Sequence, residues 1–421
     1  MNIWMMTNTY TPFVGGVAKS VLAFTGECRK AGHRVLVVAP EFEGAPASEE
    51  DVVRIPAIQD FNGSDFSVAL PIPGYLRRYF ETCRPDVVHS HHPHFLGNTA
   101  VRVASRFERP LVFTHHTMYE HYLHYVPAEA KRMRDFVIAL ATGYCNLCDR
   151  VIAPSESVAD VLRERGVATP IVVIPTGVDV QRFGRGDGSA FRRKHGISKN
   201  ARLAGYVGRL APEKNLSFLA RAICRWTADC PDGHFLVVGS GPSAESIRQT
   251  FVAGDLAERL HLVGSLEGQE LVDAYHAMDA FVFASYSETQ GMVLTEAMAA
   301  GTPVVALSGP GVREVIDDGQ NGRLLEFEDE GQFAEAVAEV AEAPASRRQA
   351  FDDATRSTAQ EFSLEQSGQK LLRVYEDLMK QGSWGPRDES AWRQAREEIK
   401  AEWELLKNMA GAVGNAFKES S

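Results

Sequence analysis

Short apolar runs alternate with stretches in which apolar residues recur at helical spacing, from the start of the chain to about residue 325. Such runs suit strands covered on both faces, and the amphipathic stretches suit helices crossing between them. The alternation therefore predicts βαβ units stacked around a parallel sheet. Strands are expected over 3–6, 34–38, 87–89, 111–114 and 150–153, forming one doubly wound domain. A run at 171–174 leads into Pro175-Thr176-Gly177-Val178-Asp179 and a polar stretch over 182–200, where the pattern breaks. It restarts with strands expected over 203–207, 235–238, 261–263, 280–283, 303–305 and 322–325. The reading is α/β, with two doubly wound Rossmann-like domains, 1–180 and 181–362, and no repeat of fixed period. Leu371, Leu372, Tyr375 and Leu378 mark a helix over 363–382, expected to cross back to the first domain. Beyond it, Trp392, Ile399, Leu406 and Val413 stand seven apart and predict an amphipathic helical tail over 383–421. That repeat suits packing within the chain first, self-association second and membrane contact third.

At 421 residues, with 44% apolar and 24% charged positions, the chain is long enough to bury two full cores. Its net charge of −11 weighs against a nucleic-acid partner. No apolar run reaches the roughly 18 residues of a spanning helix, and residues 1–10 lack the basic start and cleavage site of a signal peptide. The expectation is a cytoplasmic protein whose only membrane contact is peripheral, at the inner face. Among the six cysteines, only Cys145-Asn-Leu-Cys148 has ligand-like spacing. With no second such pair, and with Leu140, Ala141 and Tyr144 before it, this reads as the apolar side of a helix. Histidines gather in His89-Ser90-His91-His92-Pro93-His94 and in His115-His116, with His121 and His124 beyond. Glu120-His121 misses the short zincin pattern because position 117 is Thr, so no metal is expected.

Three strings carry chemistry. Thr11-Pro12-Phe13-Val14-Gly15-Gly16-Val17 follows the first strand, and its glycines would let a ligand approach the backbone and the amides of the next helix. By itself it fits a tight turn equally well. Val207-Gly208-Arg209-Leu210-Ala211-Pro212-Glu213-Lys214-Asn215 places Arg209 and Lys214 just past the first strand of the second domain. Ligands of open α/β sheets bind at that edge, and two cations there suit a diphosphate. The third string runs from Phe283 to Val305. It carries Glu288 on a loop, Gly291 at a helix start and Glu296 in the early turns of that helix. Carboxylates suit sugar and ribose hydroxyls, and helix-start amides suit phosphate.

These residues resemble the retaining glycosyltransferases of family four, which have the GT-B fold of two Rossmann-like domains facing across a cleft. The resemblance covers about residues 1–380 and rests on Glu288…Glu296, Gly208-Arg209, Glu213-Lys214, Ile174-Pro175-Thr176-Gly177-Val178-Asp179 and Gly239-Ser240-Gly241-Pro242. It implies a catalytic set of His116, Arg209, Lys214 and Glu288. Arg209 and Lys214 would hold the diphosphate, Glu288 would bind a hydroxyl of the donor sugar, and His116 would lie beside the sugar's reacting face. Gly16, Gly208, Gly239, Val263, Thr289, Gln290, Gly291 and Glu296 would complete the donor site. Glu296 would bind the ribose, and Val263 would lie near the base. The clustered histidines would then line the cleft. The implied mechanism is metal-independent and needs no cofactor: charge that builds on the departing diphosphate is taken up by cations and amides.

The string from His116 to Tyr125 resembles the branch that glucosylates diacylglycerol, and it puts His91, Tyr119 and Tyr122 on the acceptor side. Lys131, Arg132 and Arg134, just before an apolar stretch, suit an anionic lipid surface. The expected reaction is hexose transfer from a nucleotide-diphosphate sugar, UDP-glucose, to a lipid such as diacylglycerol. A transferase for a soluble oligosaccharide or small molecule uses the same donor machinery and stays open. A nucleotide-sugar epimerase ranks lower, because the Glu288…Glu296 string is not expected of it.

Overall fold

A computed structural model describes residues 1–13, 15–46, 49–58, 68–69, 76–77, 79–118, 130–286 and 288–382. The expected tail helix over 383–421 lies outside these residues. The chain divides into two compact units. One comprises Met1–Ala153, Asp160–Val172 and the last described helix from Leu372, and the other comprises Pro154–Ala159 and Val173–Leu371.

The first unit is built on β1 (Asn2–Met6), β2 (Arg34–Pro40), β3 (Val52–Ile55), β6 (Val87–Ser90), β7 (Leu111–Thr114), β8 (Arg150–Ala153) and β9 (Ile171–Val173). A small antiparallel pair, β4 (Ala57–Ile58) and β5 (Val68–Ala69), stands apart. The sheet order is β3-β2-β1-β6-β7-β8-β9, with parallel pairing from β3 to β8. Burial is continuous along β6 and β7, as a sheet covered on both faces requires. Three strands were not anticipated: β3, β4 and β5. Val52-Val53-Arg54-Ile55 has a cation in mid-strand, and Arg54 is accommodated there by Glu49 at 2.5 Å and by the Tyr10 ring.

The second unit contains β10 (Arg202–Val207), β11 (Gly233–Val238), β12 (Leu260–Gly264), β13 (Ala280–Phe283), β14 (Val304–Leu307) and β15 (Gly322–Leu325). All six expected strands are present. They are ordered β12-β11-β10-β13-β14-β15 and pair in parallel. In both sheets the first strand lies between the second and the fourth of the main series, so the winding reverses at β1/β6 and at β10/β13. The loops leaving those strands diverge, and the carboxyl edge opens there. Each chemistry-bearing string identified in the sequence follows one of these strands.

The helix Leu364–Gln381 buries Leu371, Tyr375 and Leu378 at helical spacing. Within the first unit the Tyr375 hydroxyl meets His89 Nδ1 at 2.6 Å, and His89 Nε2 meets Thr114 Oγ1 at 2.7 Å. His89 is thus fixed from both sides in the core. Burial pushes His89 and His92 down to about 3, because an imidazolium there would lose its hydration. No described helix is long and apolar enough to cross a membrane.

Two outcomes follow for stability. Tyr375→Phe keeps the ring but leaves a buried imidazole nitrogen without its partner, so urea denaturation should show a loss of about 1–3 kcal/mol; an unchanged midpoint would remove this bond as an anchor of the last helix. The second concerns pH. His89 and His92 titrate near 6.5 when unfolded and near 3 when folded, so between those values the unfolded chain binds protons that the folded chain does not. Their contribution is complete above about pH 6.5 and falls as pH drops, by about 1.4 kcal/mol per unit for each group. Urea midpoints should fall between pH 7.5 and pH 5, and a rise over that interval would contradict the burial of these rings.

Candidate active site

At the carboxyl edge of the second unit, the ends of β10, β11 and β12 are tied by main chain. Gly208 N–H donates to Val238 O at 3.0 Å, Leu210 N–H to Ser240 O at 2.9 Å and Gly239 N–H to Gly264 O at 2.8 Å. Gly239 (φ +141) and Gly241 (φ +146) permit this: a Cβ would fall 1.9 Å from the Gly208 carbonyl oxygen and 2.4 Å from that of Leu210. Gly208 lies on this floor, Arg209 stands exposed above it, and Val263 is half-buried one residue before the end of β12.

A short 3₁₀ turn, Pro212–Lys214, then carries the second cation. Lys214 Nζ reaches Glu288 Oε1 at 2.5 Å, while Arg209 pairs with Glu213. The Glu213 carbonyl accepts from Tyr286 N–H at 3.3 Å and from Ser285 Oγ at 3.4 Å, so the loop after β10 is joined to the loop after β13. Glu213 Oε2 is buried without a hydrogen-bond partner among the described residues. Burial beside the Glu288 and Glu213 carboxylates pushes the Tyr206 phenol upward, and its hydroxyl donates to Arg209 O at 3.2 Å.

The loop after β13 ends at Gly291, whose φ of +70 starts the helix Met292–Ala299 with no side-chain cap. Thr289 is half-buried beside it, and Gln290 is buried. The Gln290 side-chain amide grips Thr176 at both main-chain groups: Thr176 N–H donates to Oε1 at 2.7 Å, and Nε2 donates to Thr176 O at 2.6 Å. These bonds fix the Gln290 side chain and leave its main chain at the helix start. Glu296, 5% exposed, accepts from the Tyr275 hydroxyl at 2.8 Å. Burial and the Glu296 charge push the Tyr275 phenol well up, so it remains a donor. Cations, carboxylates and a helix start with unsatisfied amides therefore share one edge, a set that suits an anionic, hydroxyl-rich ligand.

The first unit contributes differently. Gly16 is exposed at the start of the helix Gly16–Lys30, and a Cβ there would meet nothing within 4 Å. After β6 and β7 come His91 and His116, joined Nδ1 to Nε2 at 2.9 Å. Burial pushes both imidazoles well below their ordinary value, with neighbouring histidines adding to it, so both are neutral near pH 7. Tyr119 and Tyr122 lie outside the described residues. Cys145 and Cys148 are buried; the first is on the helix Ala130–Asn146, and the second lies just beyond its end with its Sγ on the Tyr144 carbonyl at 3.3 Å. No group of three or more metal-ligating side chains is gathered among the described residues.

Sequence reasoning selected Lys214 and Glu288 without pairing them, and Glu296 without its partner Tyr275. Glu213 and Thr176 stood inside recognised strings and Tyr375 marked a helix, without any sign of the contacts they make, whereas Tyr275 gave no sequence signal.

The chain matches the description Glycosyltransferase Family 4 over residues 14–182 and Glycosyl transferases group 1 over residues 187–358. It is 30% identical over 353 residues to an alpha-monoglucosyldiacylglycerol synthase of Streptococcus pneumoniae, an alignment covering 81% of this chain and 78% of the relative. It is also 30% identical to a GDP-mannose-dependent alpha-mannosyltransferase of Corynebacterium glutamicum, over 80% of each chain. Among solved structures, Anabaena HepE in complex with UDP superposes with a TM-score of 0.69 at 20% identity, over 90% of this chain and 100% of that one. That likeness gives the fold, two Rossmann-like GT-B domains. The extent and identity of the sequence matches give the family: this chain is a glycosyltransferase and belongs to family 4.

Proposed function

We propose that the enzyme transfers a hexose, with retention of configuration, from UDP-glucose to a lipid acceptor such as diacylglycerol. The observation that carries the donor side is the meeting of Lys214 and Glu288 where β10 and β13 end, with Arg209 and an uncapped helix start beside them. In the proposed reaction the bond from the anomeric carbon to the diphosphate breaks with oxocarbenium character. Lys214, Arg209 and the amides at Gly208, Gly239 and Gly291 take up the charge on the departing oxygens. Glu288 and Thr289 hold hydroxyls of the sugar, Glu296 holds the ribose, and the base lies along Val263. His116, being neutral, hydrogen-bonds the sugar rather than transferring a full charge. His91, Tyr119 and Tyr122 are assigned to the acceptor side.

The lipid acceptor and glucose are supported by the name of the pneumococcal relative, and uridine by the nucleotide bound to HepE. A lipid acceptor implies peripheral contact with a membrane surface. A second reading, a GDP-mannose donor, is supported by the corynebacterial relative at equal identity.

A transfer assay separates these readings. UDP-glucose, UDP-galactose and GDP-mannose are offered against diacylglycerol in vesicles and against soluble sugars, with products identified by mass spectrometry. Glucosyl-diacylglycerol from UDP-glucose is expected; a product formed only on soluble sugars would overturn the lipid assignment. Lys214→Ala should lower kcat by about 10²–10³, with circular dichroism unchanged. Turnover like that of the parent enzyme would remove Lys214 from the diphosphate.

A further inference from the structure

We infer that His91 is a positioning residue: it holds His116 in the Nδ1–H tautomer, so that the nitrogen His116 leaves open is a hydrogen-bond donor. Two rings joined at 2.9 Å between His91 Nδ1 and His116 Nε2 must share one hydrogen. Both are neutral, because burial disfavours either imidazolium. Each ring therefore has one N–H, and only two arrangements are available.

In the first, His91 Nδ1–H donates to His116 Nε2. The His116 proton then sits on Nδ1, and His91 Nε2 is a bare lone pair. In the second, His116 Nε2–H donates to His91 Nδ1. The His91 proton then sits on Nε2, and His116 Nδ1 is bare. The choice is made at His91 Nε2, which is buried without a hydrogen-bond partner among the described residues. The second arrangement buries an orphaned N–H there, while the first buries only an unused lone pair. Orphaned donors are the rarer of the two in folded proteins.

His91 is not free to turn away from this choice. It is fully buried between the His89 ring at 4.2 Å and the His116 ring at 5.2 Å, the latter nearly parallel at 19°. His89 is itself held by Tyr375 and Thr114. His116, by contrast, is half-buried, and its Nδ1 is not among the buried orphaned atoms. That nitrogen accordingly presents N–H to an oxygen acceptor, such as a sugar hydroxyl. It is a poor general base, since the lone pair that would take a proton faces His91. This tautomer is the reverse of the one free histidine prefers in water.

The assignment of the acceptor oxygen to the transferred sugar rests on the function proposed above; the tautomer does not. The test has two readouts on the full chain. Two-bond proton–nitrogen correlation spectra of protein labelled with 15N-histidine identify each tautomer, and His116→Gln assigns the His116 signals by their loss. The expected result is a protonated Nδ1 and a bare Nε2 at His116. His91→Asn, which offers an amide N–H at the Nδ1 position, should keep that pattern. His91→Asp presents only acceptors to His116 Nε2, so at pH 9, with His116 neutral, it should move His116 to the Nε2–H form and lower kcat about tenfold, with donor KM nearly unchanged. A bare Nδ1 in the parent protein, or an unmoved tautomer in His91→Asp, overturns the inference. A tautomer that moves while kcat stays constant upholds the inference and overturns the placement of His116 at the sugar. If His91→Asp fails to fold, the parent spectrum and His91→Asn still decide.

Discussion

Lys214 and Glu288 are 74 residues apart in the chain and 2.5 Å apart in space, because the sheet of the second unit reverses its winding between β10 and β13. Loops leaving such a pair of strands diverge and leave an opening at the carboxyl edge. The main chain already joins the two loops through the Glu213 carbonyl, so the ion pair is not needed to close them. A charge-assisted hydrogen bond contributes about 1.5–3 kcal/mol, and one well-aimed donor to a developing oxyanion contributes about 3–4 kcal/mol. An interaction of the first size keeps the ammonium aimed, and one of the second size can draw it away.

The same comparison separates the two units by their electrostatics. Arg209 with Glu213 and Lys214 with Glu288 make a resting edge of balanced charge. In the proposed reaction a diphosphate would compete with two carboxylates for two cations and gain in addition from amides that no side chain caps. The first unit offers imidazoles that burial keeps uncharged. Neutral rings locked by hydrogen bonds suit a partner that carries no charge, such as a sugar hydroxyl. Charge handling and orientation are thus assigned to different units.

Backbone placement was legible in the sequence because it is local. Buried strands write continuous apolar runs, and glycines after β10 and β11 mark where main chain meets main chain. Strand β3 escaped because Arg54 interrupts a run of four residues, and only the fold supplies Glu49 and Tyr10 to accommodate it. Side-chain partnership is not local. Gln290 meets Thr176 across 114 residues, and His89 meets Tyr375 across 286. Nothing in the spacing of those residues could announce the contacts. Gln290 shows the consequence: its place in a recognised string gave no sign that its side chain would bond the Thr176 main chain.

How the helices begin carries the argument one step further. In the second unit, Asp179, Asp187 and Asp329 each close a helix start by accepting a main-chain N–H. Such a cap stabilises a helix by about 1 kcal/mol. The helix after β13 begins instead at Gly291 and the helix after β1 at Gly15, both without a side-chain cap. These helices follow strands on either side of the winding reversals, where a ligand would sit, and a capping carboxylate would occupy the amides and repel an anion. Glu296 lies four residues into the helix after β13, with side chains there leaning back toward the start. Its buried carboxylate accepts from the Tyr275 hydroxyl. The stability forgone at the cap leaves a positive helix end whose amides stay open to an anion.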